Sequence, residues 1–268
     1  MLNAKCKKLK TPNLNCAGDS IFHFRDRFVL TRNNRAQILS EKSEKLSLVK
    51  EILFSNNILR VFESNNEIIF ILKNGNISSF SNDGAKLWEF NLNLTFAPSS
   101  CDLDQYGNVL ITDNEILYKI NNGKVVDFVQ LGRLGKMSGV LLVSNRIFVF
   151  GNNAVIISDL NGKNFRRYKV RDLYTAYAFG SVVVLVTKDG ILMGNGDDVY
   201  TNGDFSRVES VPGVIGANSG NTISLFKKGI YASENPIISQ GVTFAKMEGD
   251  IMVIRQDGVA SVCKFEGK

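Results

Sequence analysis

The sequence predicts an all-β fold built from seven repeated units of four antiparallel strands, and three observations carry that expectation. Short apolar runs rich in β-branched and aromatic residues recur along the 268-residue chain. They are Phe28-Val29-Leu30, Ile68-Ile69-Phe70-Ile71, Val109-Leu110-Ile111, Ile147-Phe148-Val149-Phe150, Val182-Val183-Val184-Leu185-Val186, Ile223-Ser224-Leu225-Phe226 and Ile251-Met252-Val253-Ile254. Their first residues lie 40, 41, 38, 35, 41 and 28 positions apart, a unit of roughly 38 residues that matches the chain length divided by seven. Turn residues bracket each run, and the four prolines (Pro12, Pro98, Pro212, Pro236) fall at or between unit boundaries, outside the runs.

Within a unit the elements follow in a fixed order. A polar or glycine break separates the first strand from the apolar run: Arg25-Asp26, Asn65-Asn66, Tyr106-Gly107, Ser144-Asn145, Gly180-Ser181, Ser219-Gly220 and Gly249-Asp250. The run itself is the second strand; its unbroken apolar character indicates burial on both faces. A second tight turn follows at Asn33-Asn34, Asn74-Gly75, Asp113-Asn114, Asn152-Asn153, Asp189-Gly190, Lys228-Gly229 and Asp257-Gly258, where Asn, Asp and Gly tolerate positive φ and suit primed hairpins. A third turn, Asn82-Asp83-Gly84, Asn121-Asn122-Gly123, Asn161-Gly162 or Asn202-Gly203, leads to the fourth strand.

Seven such units describe a seven-bladed β-propeller of four-stranded antiparallel blades, one domain over residues 1–268. Residues 40–54 could instead form an amphipathic helix with Leu46, Val49 and Leu53 on one face. The repeat assigns them to the outer hairpin of the first blade. The last unit supplies strands near residues 242–246, 250–255 and 259–265 and then stops one strand short. The segment 3–10 is therefore expected to complete the last blade as its outermost strand, placing Cys6 and Cys263 on neighbouring strands. Such a pair could form a clasp disulfide, but reduced thiols rank first, because the N-terminus has no apolar signal core and the four cysteines (Cys6, Cys16, Cys101, Cys263) form no CxxC pair. An intracellular compartment, cytoplasmic or nuclear, is the expectation, with no membrane span.

Individual units resemble known propeller repeats. KNGNISSFSNDGAKLWEF (73–90) resembles a pyrroloquinoline-quinone-type repeat, with Gly84 at the turn and Trp88 at the tryptophan-docking position. DLDQYGNVLITDNEILYKINNGK (102–124) is similar to an NHL-type repeat, and SDLNGKNF (158–165) to an Asp-box hairpin. In the C-terminal half, Gly180 with Gly190, Gly220 with Gly229, and Gly249 with Gly258 keep the frame of repeats of the regulator of chromosome condensation family. That resemblance implies a seven-bladed propeller, and for some members guanine nucleotide exchange on Ran-type GTPases. The chain lacks that family's His after the first Gly and its GQLG-like signature.

Charge and chemistry narrow the function. The chain carries +6, and residues 1–50 hold eleven Lys and Arg against four acids, +7, leaving the remainder at −1. If the ring closes at its termini, Lys5, Lys7, Lys8, Lys10, Arg25, Arg27, Arg32 and Arg35 gather in one sector, a candidate surface for an acidic partner. Protection of an outer strand against edge pairing ranks ahead of that reading, and the turns at Arg25 and Arg32 should open on opposite faces. A second basic run, Lys163, Arg166, Arg167, Lys169 and Arg171, is expected on the outer strand of the fourth blade, again chiefly as edge protection. DLDQYGN (102–108) has two acidic positions of a calcium loop but not its later ligands, so Asx turns explain it first. Asp197 and Asp198 read as solvated.

The single histidine, His23, lies in a strand-like run and excludes most His-based catalysis. There is no GxSxG elbow, and Gly216-Ala217-Asn218-Ser219-Gly220 misses a P-loop by one position. No catalytic, cofactor or metal site is therefore expected. The leading expectation is a non-enzymatic platform for protein–protein interaction within a larger assembly, its partner a protein carrying an acidic segment, with nucleic acid ranked behind. Exchange factor for a Ran-type GTPase is second, and a hydrolase or lyase with channel carboxylates third.

Overall fold

The structure, a computed structural model, describes residues 5–8, 20–24, 27–43, 45–113, 115–132, 134, 138–179, 181–203, 205–208, 213–218, 221–226, 229–232, 235–238, 242–248, 251–256 and 259–266. Its strands form seven four-stranded antiparallel sheets. Blade 1 comprises Ser20–Phe24, Arg27–Arg32, Arg35–Lys42 and Lys45–Leu53; blade 2, Ile58–Ser64, Glu67–Leu72, Asn76–Ser81 and Lys86–Asn91. Blade 3 runs Asp102–Leu103, Val109–Asp113, Ile116–Asn121 and Lys124–Gln130, and blade 4 Ser138–Val143, Arg146–Gly151, Ala154–Asp159 and Arg166–Lys169. Blade 5 is Leu173–Phe179, Val182–Thr187, Gly190–Asn195 and Ser206–Val208, and blade 6 Gly213–Asn218, Asn221–Phe226, Gly229–Ala232 and Asn235–Ile238. Blade 7 takes Val242–Glu248, Ile251–Gln256 and Val259–Glu266, and its fourth strand is the N-terminal Lys5–Lys8.

The chain is thus an all-β propeller whose last blade is completed by the N-terminal strand, in the register Lys5 to Glu266 and Lys8 to Cys263. Cys6 pairs with Phe265, which puts Cys6 and Cys263 on adjacent strands. By internal contacts the chain divides into two compact units. One holds Met1–Glu63, Ser81–Ala85 and Pro212–Lys268; the other holds Ser64–Phe80 and Lys86–Val211.

Every apolar run is a second strand, and in the first four runs consecutive residues are buried. Phe28, Val29 and Leu30, Ile68 to Ile71, Val109 to Ile111 and Ile147 to Phe150 are all inaccessible to solvent or nearly so. Consecutive burial means that both faces are covered, which explains why these strands carry no polar alternation. The turns take the geometry their residues favour. Asn65 and Asn66 (φ 50° and 66°) and Asn122 and Gly123 (φ 47° and 69°) each place two successive residues at positive φ, the requirement of a primed two-residue hairpin. Residues 40–54 form the predicted hairpin, with Leu39 opposite Leu48 and Lys42 opposite Lys45.

Two expectations are corrected. Asn202-Gly203 is not a hairpin turn. A seven-residue helix, Gly196–Asn202, intervenes in blade 5, with the Asn195 side chain accepting from the Asp197 N–H at its start and Gly203 (φ 82°) closing its end. Asp197 and Asp198 occupy the first turn, where carboxylates suit the helix dipole. Pro236 is likewise not between blades but within the outer strand of blade 6. An edge strand tolerates proline because its outward side needs no ladder donor.

Candidate interaction surfaces on the outer strands

One contact repeats from blade to blade. Gly84, Gly123, Gly162 and Gly203 all have positive φ, and all face the fourth strand of the preceding blade. A Cβ would lie 2.7 Å from Lys50 Cβ at Gly84, 3.3 Å from Trp88 Cε3 at Gly123, 2.7 Å from Val129 Cγ2 at Gly162 and 3.2 Å from Tyr168 Cε1 at Gly203. The glycines therefore serve twice, supplying a left-handed turn and letting the next blade's backbone close over a side chain of the outer strand. Trp88 shows the result most fully: its Nε1 donates to Glu67 Oε2 at 2.9 Å, and Ser79 Oγ donates to the same oxygen at 2.5 Å.

The outer strands of blades 4 and 3 are treated differently. On blade 4, the short helix contacts Arg166–Lys169 through Arg166 and Tyr168, while Arg166, Arg167 and Lys169 remain exposed. Tyr168 Oη donates to the Val199 carbonyl at 2.8 Å, and Arg166 Nη1 to the Thr201 carbonyl at 2.6 Å. Tyr200 Oη donates to the Asn164 carbonyl at 2.8 Å, and its ring carries the Arg146 guanidinium at 3.9 Å from the centroid. Val199 is fully buried with Val143, Phe148 and Leu173.

No such element covers Lys124–Gln130 of blade 3 among the described residues. Val125, Val126 and Phe128 are 40%, 55% and 64% exposed. Val126 is the extra residue of a β-bulge, because Ile120 pairs with Val125 and Lys119 with Asp127. A bulge breaks the strand's strict alternation, which is how successive valines both reach solvent. Phe128 lies opposite the half-buried Tyr118, whose hydroxyl is held above its ordinary pKa by burial and by the negative charge of Asp113. Lys119 Nζ pairs with the half-exposed Asp127 at 3.6 Å and donates to the Leu160 carbonyl. The open edge thus sets three exposed apolar side chains beside one exposed lysine, Lys124, and one exposed acid, Asp127.

The described residues of the predicted basic sector fall on blades 7 and 1. Lys5, Lys7 and Lys8 lie on the outer strand of blade 7, while Lys10 and Arg25 fall outside the described residues. Arg27 opens the second strand of blade 1 and donates from Nε to the Asn82 carbonyl at 3.2 Å. Arg32 and Arg35 sit at the other end of that hairpin, and Arg35 faces Glu51 at 3.9 Å. Five residues of extended strand separate Arg27 from Arg32, about 17 Å, beyond the roughly 8 Å over which exposed charges act in physiological salt.

The acidic motifs stabilise hairpins. Asp104 accepts from the Tyr106 and Asn108 backbone N–H groups and from the Asn108 side chain, and Asp102 accepts from Leu142 N–H at 2.7 Å. In SDLNGKNF, burial pushes the Asp159 carboxyl up. Donation from Lys163, Asn164 and Asn161, with the charge of Arg146, outweighs it and holds the group below its ordinary value. Asp197 pairs with Arg146 at 3.4 Å. His23 pairs with Phe28 in blade 1, and Cys101 is a buried thiol. Gly190 and Gly229 open third strands, whereas Gly180, Gly220, Gly249 and Gly258 lie outside the described residues. Among the described residues, no group of three or more His, Cys, Asp or Glu could hold a metal ion, and no helix is long and apolar enough to cross a membrane.

No protein-family model matches the sequence, and no curated protein matches it by sequence. Solved structures do match in three dimensions. BamB from Moraxella catarrhalis is similar at 14% identity with a TM-score of 0.59, over 90% of this chain and 82% of that one. A catalytically inactive virginiamycin B lyase from Staphylococcus aureus, solved with quinupristin, gives 15% and 0.66 over 98% and 100%. The C-terminal WD40 domain of Sif2 gives 16% and 0.51 over 100% and 99%. At such identities the likeness establishes the propeller fold.

Proposed function

We propose that the chain is a non-enzymatic propeller platform for protein–protein interaction within a larger assembly. The uncovered apolar edge of blade 3 supports this reading. Outer strands are normally blunted by charge or cover, and contiguous exposed apolar groups mark interaction sites. The bulge at Val126 disfavours strand addition at that point, so the partner docks on side chains, with Phe128 as the aromatic anchor. The fold alone does not choose a function, since its neighbours include a lyase and a WD40 domain.

The experiment is affinity purification of the full chain beside a Val126→Asp/Phe128→Asp variant. A partner recovered with the natural chain should fall at least about tenfold with the variant, the loss expected for a truncated anchor, at an unchanged melting temperature. Equal recovery, or no partner with either chain, would contradict the platform. The exchange-factor alternative makes a different prediction, accelerated nucleotide release from a Ran-type GTPase.

A further inference from the structure

A second surface lies between blades 4 and 5, away from the blade 3 edge. A cleft of 460 Å³ is lined by Lys169, Val170, Arg171, Thr187, Asp189, Leu192 and Arg207. Its volume falls in the range of about 300–1,000 Å³ typical of ligand sites. The floor is apolar, with Val170 buried and Leu192 half-buried, and the rim is cationic, with Lys169, Arg171 and Arg207 all exposed. Arg207 Nη2 donates to the Asp189 carbonyl, which fixes one guanidinium at the mouth. Neither Lys169 nor Arg171 has an ion-pair or hydrogen-bond partner among the described residues. Among the described residues, Asp189 is the one acid lining the cleft; Asp172 and Lys188, joined through the Lys188 N–H and the Asp172 carbonyl, add one charge of each sign beside it.

Protection of an outer strand does not account for this arrangement. Arg171 lies beyond the end of the fourth strand of blade 4, and an edge needs no apolar floor. We infer that the cleft binds a short acidic peptide segment whose carboxylates meet Lys169, Arg171 and Arg207 while an apolar side chain rests on Val170 and Leu192. A compact oxyanion would leave the floor bare. A nucleic-acid strand would find no aromatic residue among the described lining residues on which to stack a base. The inference takes its partner class from the platform reading but rests on a different surface.

The test is fluorescence anisotropy of the full chain with a labelled Glu-Leu-Glu-Leu-Glu peptide. Saturable binding is expected, weakened at least about tenfold when salt rises from about 50 to about 300 mM. The Lys169→Glu/Arg171→Glu variant should lose at least about tenfold in affinity at an unchanged melting temperature, and a peptide with glycine for leucine should bind more weakly. The Val126→Asp/Phe128→Asp variant should bind the peptide as the natural chain does, so failure of one surface is separable from failure of the other. No saturable binding, equal binding by the charge-reversed variant, equal binding of the glycine peptide, or tighter binding of a thymidine oligonucleotide would overturn the inference.

Discussion

The outer strands of blades 3 and 4 are neighbours in sequence and opposites in treatment. Arg166–Lys169 carries two exposed arginines and an exposed lysine, and Tyr168 and Arg166 are tied to carbonyls of the helix inserted in blade 5. Lys124–Gln130 has the more apolar exposed surface and the less protection, a single bulge. A propeller made of repeats has the same problem at every outer strand. Helix contacts and charge meet it at blade 4 and a bulge at blade 3, and the proposed partner surface rests on that contrast.

The contrast can be broken from the helix side first. Val199 is fully buried beneath the helix, so Val199→Asp should detach the helix and destabilise the chain by about 3–4 kcal/mol, the range for a charge forced into a core. Thermal denaturation checks this, and an unchanged melting temperature would show that the helix is not anchored there. Next comes the seam between the two blades. At Gly162 (φ 73°) an added Cβ meets Val129 Cγ2 at 2.7 Å, so Gly162→Ala should cost about 1–2 kcal/mol through strain and displacement of the outer strand. Gly203→Ala should cost less, because its added Cβ meets Tyr168 Cε1 only at 3.2 Å.

On the open side the expectation reverses. Phe128→Asp and Val126→Asp should change stability by no more than about 0.5 kcal/mol, as exposed substitutions do, while abolishing partner recovery. A loss of stability comparable to that of Gly162→Ala would mean the strand is structurally committed and not free for a partner.

Much of this was legible in the sequence. The seven second strands announced themselves as unbroken apolar runs, and in the first four the reason is burial on both faces, which leaves no place for polar alternation. The third turns were visible as Asn-Gly pairs, though not the fact that each glycine packs on the preceding blade. The helix Gly196–Asn202 is too short to show periodicity; its signals were its ends, Asn195 before Asp197 and Asp198, and Gly203 after. The open edge was hidden for a different reason. KVVDFVQ reads like any apolar strand, and whether Val125, Val126 and Phe128 are buried depends on what the neighbouring blade places over them. The hydrogen bond from Arg27 to the Asn82 carbonyl was also hidden, because it joins residues 55 positions apart.

The smallest expected effect is acidic. The Asp159 carboxyl lies below its ordinary value in the folded chain. The stability it contributes is therefore present above the unfolded carboxylate range and is lost as pH falls through the folded value. Asp159→Asn should flatten that part of the acid stability curve, followed by circular dichroism, and leave stability near neutral pH about 0.5–1 kcal/mol lower through the weakened hairpin. An unchanged acid limb would remove Asp159 from the account of this turn.

The contrast between the two edges is tested most directly by photo-crosslinking in the native cell. p-Benzoylphenylalanine is placed at Phe128 on blade 3 and, in a separate chain, at Arg167 on blade 4. A partner protein captured from position 128 and not from position 167 is the predicted result. Capture from 167 alone, or from neither position, would contradict the assignment of the open edge to a partner.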